Sequence, residues 1–127
     1  MVAPAKPAIV NKRPWVPERQ DVIWIDCIPQ AGNEMLVLSP RSFNERTSLV
    51  IGLPMTTEEY NADNPFAVAV SATEKNNKEK ISYVLCHQPK SFDWRNRKAS
   101  PHALKRLSDK HFAECCACLN QILQLAL

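Results

Sequence analysis

Five short runs of β-branched and aromatic residues, each cut off by a proline or a polar turn, precede the one long helical pattern in this chain. They are Asp21–Asp26, Leu36–Leu38, Ser48–Leu53, Phe66–Val70 and Ile81–Cys86, with polar Glu74–Lys80 read as the loop between the last two. Strands this short and this close, with no helix between them, predict a mainly β (α+β) antiparallel fold, closed on itself or sandwiched, and exclude repeating βαβ units. The helix follows Ser108, a good N-cap, with Asp109 favourably placed in its first turn. Phe112, Cys115, Cys116, Leu119, Ile122, Leu123 and Ala126 recur at helical spacing and form one apolar stripe, which is expected to pack on the sheet. A length of 127 residues supports one domain with a modest core. Pro4, Pro7, Pro14 and Pro17 interrupt the start, so residues 1–17 read as an extended arm and 18–127 as the domain.

Hydrophobic residues at 45% and charged residues at 23% argue against a disordered chain. No apolar run approaches the roughly 18 residues of a spanning helix, and the start lacks the apolar stretch of a signal peptide. A soluble, cytoplasmic protein with no membrane partner is expected. The five cysteines fit reduced thiols: Cys27, Cys86, Cys115, Cys116 and Cys118 form no even framework, and three crowd one helical segment. Net charge is only +3, yet Lys90, Arg95, Arg97, Lys98, Lys105, Arg106 and Lys110 share one stretch with Asp93 and Asp109 as counter-charges. Such a stretch suits a polyanion, and equally a solvated basic face.

Several chemistries can be set aside. His111, Cys115 and Cys118 share a helical face, but a structural zinc site draws on two separated clusters and only one exists, so core packing is preferred and no metal or other cofactor is expected. Gly32 and Gly52 stand alone, which excludes Gly-rich phosphate loops. Cys86 and His87, as neighbours on a strand, would point to opposite faces and make a poor nucleophile–base pair. What remains is polar residues at strand ends: Met55-Thr56-Thr57 after one strand and His87-Gln88-Pro89-Lys90-Ser91 after another, both able to meet at one rim. A hydroxyl, an imidazole and cations suit a phosphodiester, because RNA cleavage needs a proton carrier and donors for the charged phosphorane. A turn at Thr56-Thr57 and a solvated His87 explain the same residues without function.

The ordered set of motifs resembles one family. Asp21-Val-Ile-Trp-Ile-Asp-Cys-Ile-Pro-Gln-Ala-Gly-Asn-Glu34 is similar to the opening strand and loop of MazF/PemK/Kid toxins. Leu36-Val-Leu-Ser-Pro40 resembles their second strand, and Phe43-Asn44 the aromatic-Asn pair that follows. Leu53-Pro-Met-Thr-Thr57 resembles the strand ending in their active-site threonine, which falls on Thr56. Cys86-His-Gln-Pro-Lys-Ser91, with Asp93 and Trp94-Arg95, resembles a stretch of their RNA-binding face. The resemblance implies an SH3-like barrel of short antiparallel strands with a C-terminal α-helix, a homodimer, and a growth-inhibiting type II toxin that cuts single-stranded RNA (mRNA) at short sequences without a metal. It also implies an antitoxin partner with an acidic disordered tail. By the same resemblance Thr56 and His87 are the catalytic candidates, and Glu34, Thr57, Gln88, Lys90, Arg95 and Arg97 the RNA-binding ones.

The chain also departs from the family. There, a loop after the Gly-x-Glu run leads into an Arg-Pro or His-Pro pair that supplies the main catalytic cation. Here Glu34-Met35 runs directly into Leu36, and Arg41 lies beyond the strand. Either the protein lacks the loop, or residues lie between Met35 and Leu36 that this sequence closes over. Two functions follow: an RNA endoribonuclease with Thr56, His87 and Lys90 as its surviving constellation, or a non-cleaving toxin-like protein that dimerises and binds an antitoxin. An unrelated basic β-domain that binds RNA as a monomer is a third reading.

Overall fold

The computed structural model describes residues 14–26, 33–73 and 79–125, the side chains of 71–73 and 79 excepted. In order, these form β1 (Asp21–Ile25), β2 (Asn33–Val37), α1 (Arg41–Thr47), β3 (Leu49–Thr56), a 3-10 turn (Glu59–Asp63), β4 (Ala67–Thr73), β5 (Glu79–Leu85), β6 (Lys90–Asp93), β7 (Ser100–Arg106) and α2 (Asp109–Leu123). All pairings are antiparallel, in the order β4-β5-β3-β2-β1-β7, with β6 also on β3. The mainly antiparallel sheet with a C-terminal helix agrees with expectation, while α1, β6 and β7 are additions to it. β5 starts at Glu79, inside the stretch read as a loop.

Period-2 alternation places apolar side chains on both faces of the central strands, and both faces are buried. Val22, Leu36, Leu53, Met55, Val84 and Leu107 form one cluster beneath α2, joined by Cys86 and Cys115. Ile23, Ile25, Met35, Val37 and Val50 form the other, inside the curl of the sheet, with Trp94. Burial on both sides explains why the sequence reads Val-Ile-Trp-Ile and Met-Leu-Val-Leu rather than alternating with polar residues. Val16 and Pro17 are buried in this second region and Trp15 meets Trp94 edge to face at 5.9 Å, so the last residues of the segment read as an arm belong to the packed fold. Residues 1–13 lie outside the described residues.

The helix starts as expected, with Ser108 Oγ accepting from the His111 N–H at 3.2 Å. Its stripe is only partly used. Cys115 is fully buried and Phe112, Cys118 and Leu119 pack beside it, but Ile122 and Leu123 are exposed, and Cys116 lines an open groove with Phe112, Leu119 and Leu123. Among the described residues the far end of the helix is thus left uncovered; Ala126 lies outside them.

β3 positions the site. One edge pairs with β2; along the other, β6 lies against Leu49–Gly52 and β5 against Met55–Thr56. Between those two partners stands Pro54, which has no N–H to give a ladder. The sheet parts there.

Candidate active-site cleft

At this parting lies a cleft of about 630 Å³, lined by Asn33, Pro54, Thr56, Leu85, Lys90 and Phe92 among others. The strand directions dictate which side chains enter it. Pro54 and Thr56 share the face of β3 that Val50 uses for the inner cluster, and Asn33 shares the face of β2 used by Met35 and Val37. Thr56 Oγ1 accepts the Glu58 N–H at 3.2 Å, which leaves its hydroxyl proton to donate outward. Among the described residues that line it, Lys90 is the one cation. Arg97 supplies a second at the border: its guanidinium lies 4.7 Å over the ring of Phe92 and donates to the Asp26 carbonyl at 3.3 Å.

Of the expected site residues, Thr56 and Lys90 are brought together. Glu34 contributes to the cleft wall, but it stands opposite Trp24 and Met55, and Met55 belongs to the cluster beneath α2. Its carboxylate therefore faces the other side of the sheet, 2.8 Å from His102 Nε2. The Leu104 N–H donates to His102 Nδ1 at 3.0 Å, so Nε2 carries the proton that Glu34 accepts, and Trp24 packs on the same imidazole at 4.4 Å. Sequence reading missed this group; the apolar-polar mixture of β7 gave no sign that His102 is buried.

His87 does not line the cleft. It sits exposed on the turn between Leu85 and Lys90, both of which do, with its ring 5.8 Å from Phe66 and its Nε2 3.2 Å from Gln88 Nε2. Thr57 and Gln88 are exposed beside their neighbours. Arg95 is elsewhere: it lies 4.3 Å over Trp94 and donates to Ser48 Oγ and to the Glu45 carbonyl, at the end of α1.

Cys86 is not on a strand but in the turn that follows β5, with its Sγ donating to the Val84 carbonyl at 3.7 Å. The hydrogen-bonded Cys115 thiol and burial push its own thiol far above the ordinary range, which removes the thiolate a nucleophile requires. His111 Nδ1 is engaged by Ser108 Oγ at 3.1 Å rather than by the cysteines of its helix.

β2 runs without a break through Met35 and Leu36. Asn33, Glu34, Met35, Leu36 and Val37 form one continuous strand, in step with β1 on one side, while Glu34 to Val37 run in step with Met55 to Gly52 on the other. Residues 26–32 are left to join Ile25 to its partner Asn33.

Residues 18–123 match the family model described as PemK-like, MazF-like toxin of type II toxin-antitoxin system. The endoribonuclease toxin MazF of Escherichia coli K12 is 34% identical over 92 residues, 68% of this chain and 77% of that protein. Two crystal structures from Deinococcus radiodurans share the fold: a MazE-MazF structure (TM-score 0.73, 26% identity, 89% of this chain and 100% of that one) and a MazF structure (0.71, 29%, 88% and 100%). With the family model spanning nearly all of the folded chain and a named endoribonuclease among its relatives, this chain belongs to the PemK-like, MazF-like toxin family and is by that kinship an endoribonuclease.

Proposed function

We propose that this toxin cuts single-stranded RNA, mRNA included, in the cytoplasm and without a metal ion, by attack of a ribose 2′-hydroxyl on the adjacent phosphate. The observation that carries the reading is that Thr56, its hydroxyl proton free of the Glu58 contact, and Lys90 line one cleft of about 630 Å³. Thr56 donates to a non-bridging phosphate oxygen and Lys90 offsets the charge that builds there. His87, at the rim, takes the proton of the 2′-hydroxyl and passes it to the leaving 5′-oxygen as the O2′–P bond forms and the P–O5′ bond breaks. Arg97 holds backbone phosphate at the border, and Thr57, Gln88 and Arg95 meet RNA that runs beyond the cleft.

The MazE-MazF structures among the relatives support two further parts of the proposal: an antitoxin partner, whose acidic tail would compete for the same cations, and a homodimer. Incubation with a long single-stranded RNA in EDTA tests the enzyme: cleavage that weakens in His87→Ala is expected, and cleavage abolished by EDTA would sink the metal-free mechanism. A second reading rests on Lys90 being the one cation among the described lining residues. A non-cleaving toxin-like protein would leave RNA intact yet bind an acidic antitoxin peptide tightly.

A further inference from the structure

One aromatic pair belongs to neither core cluster. Phe66 is 43% exposed, and its ring stands 5.8 Å from that of exposed His87 with 39° between the planes, a separation at which rings attract. The backbone fixes Phe66 on both sides: its N–H donates to Asn64 Oδ1 at 2.9 Å, and its carbonyl accepts the Cys86 N–H at 3.0 Å. The next residue, Ala67, pairs with Leu85, which lines the cleft. Consecutive Cα atoms are about 3.8 Å apart, so the Cα of His87 lies within about 7.6 Å of that of Leu85. Three residues after His87 the chain returns to the lining at Lys90. The pair therefore adjoins the cleft by chain connection alone, whichever way the two rings turn. A ring that is already fixed and open to solvent loses little freedom on meeting a ligand.

We propose that Phe66 is a nucleobase platform: the base of a nucleotide next to the phosphate held in the cleft stacks on its ring, with His87 beside it. The inference rests on the nuclease reading for RNA as the ligand, but the stack itself requires only that single-stranded RNA occupies the cleft. Thr56 and Lys90 suit a phosphate, and a phosphate is common to every polyanion of this kind. A ring distinguishes RNA from the rest, because every base has a π-face and a bare phosphate chain has none. Stacking also releases no counterions, so it adds affinity without adding to the salt dependence that the cations set.

The test measures binding of the whole chain to two probes: a mixed-sequence pool of 2′-O-methyl RNA, which lacks the attacking hydroxyl, and inorganic polyphosphate, which lacks bases. Phe66→Leu keeps an apolar side chain and removes the π-face. It should weaken RNA binding about tenfold. Its binding to polyphosphate, its slope of log affinity against log salt and its thermal unfolding should match those of the parent chain. Phe66→Trp should bind RNA at least as tightly as the parent, with the emission of the added indole quenched by RNA. RNA binding indifferent to Phe66→Leu overturns the proposal, as does a loss that polyphosphate shares or that comes with a lower salt slope. In each of those cases cleavage of unmodified RNA by the parent chain in EDTA leaves the nuclease reading standing. Binding that is sensitive to Phe66→Leu, with no cleavage by the parent chain, supports the platform and overturns the nuclease reading.

Discussion

Asn44 shows how much of this fold depends on one polar side chain. It is fully buried on the seven-residue helix α1, donates from Nδ2 to the carbonyls of Pro17 at 2.8 Å and Ser39 at 3.1 Å, and accepts from Ser39 Oγ. Its own carbonyl accepts the Trp94 indole N–H at 2.8 Å. Asn44→Ala leaves buried polar groups unmade and should cost at least about 2 kcal/mol in urea unfolding. Thr56 has the opposite profile. Thr56→Val keeps its shape and loses only the hydroxyl, whose partner Glu58 is exposed, so unfolding should change by less than about 1 kcal/mol while kcat falls roughly 10²-fold or more. At this scale the sequence was legible where a motif marked the residue, as at Thr56. It was silent at His102, whose role comes from partners on other strands.

Among the elements, β3 carries the tightest constraint. Gly52 sits between Val37 of β2 and Lys90 of β6, and a Cβ added there would stand 2.3 Å from the Leu36 carbonyl oxygen. Backbone cannot swing aside as a side-chain tip can. Gly52→Ala should therefore part β2 from β3, lower stability by at least about 2 kcal/mol, and misplace Thr56, a double loss visible in thermal unfolding and in cleavage. Helix α1 begins at Pro40, which offers no side-chain cap; Glu18 caps it from outside by accepting the Arg41 N–H at 3.0 Å and the Arg19 N–H at 2.8 Å. Burial alone would raise the Glu18 carboxyl, but those two amides and the charges of the same arginines hold it below its ordinary 4.5. Between the two values the unfolded chain binds more protons, so this contribution is full above about pH 4.5 and is lost as pH falls through the folded value. Asp21, raised by burial, acts in the opposite sense, which makes the comparison of Glu18→Gln with the parent the clean test. The acid limb of a stability–pH curve should flatten in Glu18→Gln.

The elements that sequence reading missed have physical reasons for their silence. β7 carries Pro101 and a left-handed Lys105 (φ 64°), and only His102 is buried on it, so no alternation is written there. β6 has four residues, two exposed and two half-buried. The one fully buried residue of α1 is an asparagine. Conversely β3 runs through Pro54 to Thr56, three residues past its expected end, because Pro54 falls at the gap between β6 and β5 where a missing N–H costs little.

At the scale of the molecule, the basic stretch divides. Lys90 and Arg97 face or border the cleft, whereas Arg95 is held at the end of α1. Each phosphate neutralised in single-stranded RNA contributes about 0.7 to the slope of log affinity against log salt. Lys90→Ala should lower that slope by about this amount, and Arg95→Ala should lower it less, as read by fluorescence titration from low to moderate salt. The sheet and its helix were legible because their apolar runs are long enough to show a period. The cleft was legible only as two strand ends able to meet, since which side chains face it depends on the register of β2 on β3. That register also makes the link from β1 to β2 the chief functional question, because Lys90 is the one cation among the described lining residues. The most direct test is incubation of the intact chain with a long single-stranded RNA in EDTA, with the product ends identified. The account predicts fragments bearing 2′,3′-cyclic phosphate and 5′-hydroxyl ends, formed much more slowly by Thr56→Val; intact RNA, or cleavage that Thr56→Val leaves unchanged, would contradict it.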